Sequence, residues 1–465
     1  MTSLQRETDL SAAISKNKNS FQKKLDKIVI PLYFLALIIV HIFYANRDNP
    51  FLNYFNALPL SLRIVFPILL IFVMIAWVNS FAWSLILRFT DLIRKFFINK
   101  TYLFLIASML FFFPFFFLRA KRNLGDGNLL MRLVSGGYKF DPHSPINKYF
   151  QNFFLNLTQK YFAWDISLSW AITSVMLGII FIFFLLLLTH KLFKKSSERI
   201  IFLFSTVSIG SVQLFFGYIE DYPLVLATLM IYIYVSYKYL RGELSIFWPS
   251  MLMSILLGAS LLTGWLLPSV FYLYFSKEIK FEKKSLKFKK RNLLLFLAGL
   301  ILPYSAIMVF FALQKVDLIN LFRNSHLVAA MKPNIKYFLS LKEMFSITHI
   351  TDFVLEHLLI SSYGLFLLFY LLISKFKKIT FDKFVIFLMI ASGGLIIFSF
   401  VWIPQLGAFM DWDLFAVSSL PYSVLAIYLF LKTKNTGFKY TGMILIIGNF
   451  MITIPWFLSN AFPTK

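Results

Sequence analysis

Carboxylates stand at three places where they could do chemistry. Asp126 lies between Gly125 and Gly127, straight after the basic run Arg119, Lys121 and Arg122. Glu220 and Asp221 are adjacent in FFGYIEDYPL, between two long apolar runs, where a buried pair of charges would be costly. Asp411 and Asp413 flank Trp412 in PQLGAFMDWDLF. A carboxylate within hydrogen-bond reach of a hydroxyl can take its proton, and paired carboxylates can hold Mg²⁺ or Mn²⁺ through their oxygens. Glu220 and Asp221 are the candidates for such a cation, or for orienting an acceptor. Each group also has a plainer reading. Asp126 can cap the short helix that follows it. Glu220 and Asp221 can mark the wet end of an apolar run. Asp411 and Asp413 point apart in a helix and could be brought together in a turn, with Trp412 then an interfacial anchor. Supporting candidates are Asp141, His143 and Lys148 in FDPHSPINK, and Arg122, Arg323 and His326 as cations for a phosphate. His349, Asp352 and Glu356 share one helical face, which reads better as a polar stripe on an aqueous cavity than as a metal site.

The elements that must position these groups are apolar. Hydrophobic residues make up 59% of the 465, charged residues 14%, and the mean hydropathy is +0.74. A crossing of the hydrocarbon core needs roughly 20 apolar residues, and runs of that kind recur from 28–45 through 440–457. They predict an all-α polytopic integral membrane protein with about 13 transmembrane helices. The shortest pair, 246–262 and 264–276, is interrupted by Gly264 and Pro268. Four regions follow: a basic tail at 1–27, an N-terminal transmembrane hairpin at 28–95, a core at 96–291, and a C-terminal bundle at 292–465. The run from Ile28 reads as a retained signal anchor. With no cysteine there is no disulfide framework and no thiolate metal site.

The net charge of +25 is unevenly placed. With the N-terminus in the cytoplasm and sides alternating, about two thirds of the Lys and Arg fall inside, while the acids lean outside. That is the bias that orients membrane proteins, and it argues against nucleic acid as a partner. The same bookkeeping assigns no formal charge to the apolar spans, which counts against an ion-coupled transporter. All four polar patches then face one compartment: the loop 119–167, the opening GYIEDYP, the loop 313–352 and the segment 403–413. Within the first, NLLMRLV predicts a short surface helix, Ser135-Gly136-Gly137 ends it, and Tyr149, Phe150, Phe153, Phe154 and Leu157 predict a second one.

Phe140-Asp141-Pro142-His143-Ser144-Pro145-Ile146-Asn147-Lys148 resembles the F-D-x-H-x-P-x-x-K segment of protein O-mannosyltransferases. Residues 100–290 are similar to the GT-C superfamily of membrane glycosyltransferases in their order of parts, and Glu220 and Asp221 match its second acidic position. The resemblance implies transfer of a sugar from a polyprenyl-phosphate carrier to a glycan, lipid or protein acceptor at the outer face. It also implies inversion at the anomeric carbon; Asp126, beside Arg and Lys at a surface loop, is the expected base, and the expected location is a bacterial inner (plasma) membrane. The chain departs from that pattern in three places. Gly127 follows Asp126 where the mannosyltransferases carry Glu, two extra spans precede the core, and Leu262-Thr263-Gly264-Trp265 lacks the Lys of many relatives. Two other classes stay open: an O-antigen ligase or polymerase, and a lipid-linked oligosaccharide flippase. The loop 313–352 holds Arg323 as its single Arg, which weakens the ligase reading.

Overall fold

The computed structural model describes residues 25–43, 50–96, 100–122, 124–136, 141, 143–278, 280–282, 285–287, 290–317, 336–434 and 437–463. Arg323 and His326 lie outside them. The described chain is a bundle of helices: α1 Leu25–Phe43, then α2 Leu60–Met74, α3 Ala76–Phe96, α4 Lys100–Met109, α5 Phe112–Phe117, α6 Gly127–Ser135 and α7 Pro145–Phe162. After these come α8 Ile166–Leu192, α9 Ser196–Val207, α10 Tyr222–Leu240, α11 Phe247–Ala259, α12 Leu267–Glu278 and α13 Lys290–Leu313. The C-terminal part holds α14 Leu341–Met344, α15 Ile347–Ile360, α16 Gly364–Ser374, α17 Lys383–Val401, α18 Trp412–Lys432 and α19 Phe438–Ala461. A small antiparallel hairpin, β1 Lys280–Glu282 with β2 Ser285–Lys287, pairs Lys280 with Lys287.

Seven described helices are long and apolar enough to cross a membrane, or up to nine if two bent pairs each count as one. This is a polytopic membrane protein. The apolar run 64–87 is not one helix: α2 and α3 meet at 89°. Outward of that bend, Trp77, Phe81 and Leu85 form one exposed apolar row on α3, the pattern of a helix lying along a membrane surface. The second bend, 101° between α15 and α16, passes through Ser361, Ser362 and Tyr363. There Ser361 Oγ and Ser423 Oγ are 2.7 Å apart, and Ser362 donates to Asn449, so the broken backbone is backed by polar side chains from α18 and α19.

α18 is apolar on every face and lies at the centre of the bundle, as such a helix must. Its one acidic residue in the first turn is Asp413, so the most buried helix delivers a carboxylate to the end of the bundle. The two short helices expected in the first large loop are α6 and α7. Pro145 starts α7 at a position where its missing N–H costs nothing, and Ala163 in the left-handed region ends it. Asp165 then caps α8 by accepting from Leu168 N at 2.7 Å.

Candidate functional site

The loop carrying Asp126 is pinned from below. Ala120 N donates to Phe216 O at 2.6 Å, and Lys121 N donates to Asn460 O at 2.8 Å. Tyr218 donates its hydroxyl to Leu124 O at 2.6 Å and accepts from Trp412 Nε1 at 3.1 Å. Three sequence-distant motifs are thereby joined: Gly-Asp-Gly, the Glu220 loop and Asp-Trp-Asp. Two glycines make the approach possible. At Gly217 (φ +61) a Cβ would stand 2.7 Å from Arg119 Cβ. At Gly125 (φ +73) it would stand 2.8 Å from Asp413 Oδ2 and 3.2 Å from Glu220 Oε1.

Those two carboxylate oxygens therefore share one small space. Neither has a hydrogen-bond partner, and their residues are 7% and 3% exposed for Glu220 and Asp413. The other oxygens are engaged: Glu220 Oε2 accepts from Asp221 N at 3.3 Å, and Asp413 Oδ1 accepts from Leu414 N at 2.9 Å. Burial holds the Glu220 pKa well above the ordinary carboxylate range, with Asp413, Asp221 and Asp126 pushing the same way and Lys148 opposing. Asp411 is raised to about 6 by burial and by Asp126, against a hydrogen bond from Leu406 N. A crowd of like charges takes up a proton or a cation more readily than a lone carboxylate does.

Asp126 occupies the N-cap position of α6, yet its side chain makes no capping hydrogen bond. The capping role that its position suggested is not the one it plays. Its carboxylate is exposed, and its charge acts on Glu220, Asp411 and Asp413. Glu356 joins from α15. It is buried, its Oε1 is without a partner, and it interacts electrostatically with Asp411, Asp352 and Asp413. Glu356 falls within the apolar run 353–374, so the expectation that the apolar spans hold no ionisable group is corrected, and an ion-coupled transporter is no longer disfavoured on that ground. The stripe His349, Asp352, Glu356 was the signal that pointed to it. Among its neighbours, His357 is buried between Tyr422 (3.1 Å) and Ser399 (3.0 Å), and His349 Nε2 lies 2.9 Å from Phe400 O.

Asp221 faces away from this cluster. Its Oδ1 accepts from Lys148 Nζ and from Gln151 Nε2, each at 2.9 Å. Its backbone oxygen accepts from Asn147 Nδ2 at 2.6 Å. Lys148 is fully buried, with Nζ 6.0 Å from the centre of the Trp170 ring. Asp141 sits behind: its Oδ1 accepts from His143 N at 2.9 Å, and Ser144 Oγ lies 3.1 Å from Asp141 Oδ2 and 3.0 Å from Asp221 Oδ2. One hydroxyl proton serves one of those two acceptors at a time. His143 O accepts from Leu261 N at 2.9 Å, tying the same turn to the end of α11. Ser144, Asn147 and Lys148 thus hold Asp221, and through it the Glu220 loop. Adjacent Glu220 and Asp221 have separate surroundings, and the divalent-ion pair expected of them is not assembled from both.

Beside the cluster runs an open groove of about 560 Å³, lined by Arg122, Asp352, Phe51 and the segment 406–410. Arg122 is exposed, the one described cation among the three expected at a phosphate. Among the described residues, no group of three or more His, Asp or Glu is arranged to hold a metal ion. The oxygens that fit a cation best are Glu220 Oε1 and Asp413 Oδ2. No family model matches the sequence, and no curated protein and no solved structure matches the chain.

Proposed function

We propose that the protein is a membrane glycosyltransferase acting at the carboxylate face, with a polyprenyl-phosphate-linked sugar as donor and a hydroxyl of a glycan, lipid or protein as acceptor. The observation that carries the reading is the convergence of Asp126, Glu220, Asp411, Asp413 and Glu356 beside a groove with Arg122 at its wall. A purely structural end of a bundle has no reason to leave three buried carboxylate oxygens without partners.

In this reading the acceptor hydroxyl gives its proton to the Asp126 carboxylate as its oxygen bonds to the anomeric carbon. The bond from that carbon to the carrier phosphate breaks, and the phosphate leaves with the electron pair, facing Arg122. Glu220 and Asp413 orient the acceptor through the oxygens that face Gly125. Those same oxygens would hold Mg²⁺ or Mn²⁺, whose charge would ease departure of the phosphate. The supporting topology adds to the long and bent helices the shorter apolar segments Thr101–Phe117, Phe247–Ala259 and Leu261–Ser276, together with 196–215. That gives about 13 crossings in a GT-C-like arrangement. The charge bias supports an extracytoplasmic carboxylate face, and the membrane in this reading is the bacterial inner membrane.

The test uses purified full-length protein in lipid nanodiscs, incubated with candidate polyprenyl-phosphate sugars, with release of the sugar-free carrier as readout, with and without Mg²⁺ or Mn²⁺. Release is expected, and Asp126→Asn should reduce it at least about 10²-fold without lowering the melting temperature. Full-rate release by a folded Asp126→Asn protein would refute Asp126 as base. Movement of intact lipid-linked sugar between leaflets, with none consumed, would replace the reading with a flippase.

A further inference from the structure

A second polar cavity lies at the other end of α19. Asn460, near the C-terminal end of that helix, holds the Asp126 loop. Gly437 and Phe438 at its start are about 34 Å away by helical rise. There a cavity of about 680 Å³ opens between α3, the first turn of α19 and the first turn of α1. Its wall is fixed by hydrogen bonds from α3 and α19. Trp83 Nε1 donates to Lys439 O at 2.7 Å, Asn79 Nδ2 donates to Tyr440 O at 3.2 Å, and Tyr440 donates to Met74 O at 2.6 Å. Asn79 and Trp83 are 2% and 4% exposed.

The lining is cationic and rich in donors. Lys27 and Lys439 are both exposed at the cavity. Neither forms an ion pair among the described residues. Lys27 Nζ stands 5.8 Å from the centre of the Tyr440 ring. Its stem lies where a side chain on Gly437 would be, 2.9 Å from that Cβ position. Ser80 and Ser84 line the same space, and among the described residues no carboxylate does. The adjacent Asp26 is committed elsewhere, to Lys375 at 2.6 Å and Tyr370 at 2.7 Å. On the neighbouring face of α3, Trp77, Phe81 and Leu85 are 75%, 55% and 51% exposed, the pattern of a helix at a membrane surface.

We infer that this cavity binds the phosphate of an anionic phospholipid, with Lys27 and Lys439 neutralising the charge and Ser80 and Ser84 donating hydrogen bonds to its oxygens. The lipid's acyl chains then run down beside the exposed row of α3, which a soluble phosphate has no use for. Basic clusters next to membrane helices attract anionic headgroups, each lysine contributing about fivefold in affinity. The site is independent of the transfer reaction, at the opposite end of the bundle.

The experiment delipidates the full chain in neutral detergent, titrates it with phosphatidylglycerol, and counts bound lipids by native mass spectrometry alongside the melting temperature. Phosphatidylcholine and inorganic phosphate are the comparison arms. One phosphatidylglycerol should be retained in preference to phosphatidylcholine and should raise the melting temperature. Lys27→Gln with Lys439→Gln should weaken it about 25-fold, while Lys194→Gln with Lys377→Gln, an equal loss of exposed charge, should leave it unchanged. Equal weakening by both double variants, or none by the first, would overturn the site. Displacement of the lipid by inorganic phosphate at similar concentration would overturn the lipid as its occupant.

Discussion

Gly125→Ala probes the closest contact in the carboxylate cluster. Gly125 has φ +73, a region that costs a residue with a Cβ roughly 1–2 kcal/mol. The new methyl carbon would also stand 2.8 Å from Asp413 Oδ2 and 3.2 Å from Glu220 Oε1. Ordinary contact begins near 3.4 Å, so at least one carboxylate must retreat, and both belong to buried residues with little room. The restricted unfolded chain returns about 0.4–1 kcal/mol, which leaves a net destabilisation of about 1 kcal/mol before the carboxylates move. Gly136→Ala, at the far end of the same short helix, is the matched control. Gly136 has φ −78, and its nearest neighbours to a Cβ are at 3.4 Å, so that change should be neutral or slightly stabilising. Both proteins would be melted in the same detergent and assayed for carrier release. The expected result is a lower melting temperature for Gly125→Ala alone and a transfer rate down about 10²-fold, the usual cost of displacing a reacting group by an ångström. A Gly125→Ala protein that melts and reacts like Gly136→Ala would refute the packing of Glu220 and Asp413 against this loop.

The Lys148–Asp221 pair should behave as a buried ion pair. Lys148→Met is expected to cost roughly 3 kcal/mol, the low end for such pairs because the Asp221 carboxylate keeps Gln151 and Ser144. Lys148→Met with Asp221→Asn should recover at least about 1 kcal/mol in a double-mutant cycle by chemical denaturation, and strict additivity would show that the two do not interact. Asp411, with its pKa raised to about 6, stabilises the fold less in its charged form than in its neutral form. Its contribution is therefore fully present below about pH 4 and lost as pH rises through about 6. The melting temperature of wild type minus that of Asp411→Asn should fall across that window at low salt, and a flat difference would contradict it.

The sequence made the membrane class and the two loop helices plain, because both depend on local apolar periodicity that any neighbour must accommodate. It also singled out Asp126, Glu220, Asp411 and Asp413 as separate groups of interest. That they face one compartment and could converge was also legible; the contacts that join them were not. Tyr218 reaching Leu124 O, and Trp412 reaching Tyr218, join residues far apart in the chain, and no spacing rule encodes such contacts. The division between Glu220 and Asp221 was equally invisible, since it rests on Lys148, 73 residues earlier. Glu356 belongs to the stripe expected to face an aqueous cavity, yet it is buried, on a helix that packs beside α18 with His357 3.1 Å from Tyr422.

Not all of the apolar helices are long enough for the solvent they occupy. α16 has 11 residues and α11 has 13, lengths of about 17 and 20 Å against a hydrocarbon core of about 30 Å. Lipid beside them must thin, or water must enter where the helices stop. α18 and α19, with 21 and 24 residues, need no such adjustment. The protein therefore meets the bilayer with uneven hydrophobic thickness, and mismatch of this kind costs fractions of a kcal/mol per ångström. Reconstitution in lipids of increasing acyl-chain length turns that tension into an observable: stability falls with thickness while the sequence stays the same.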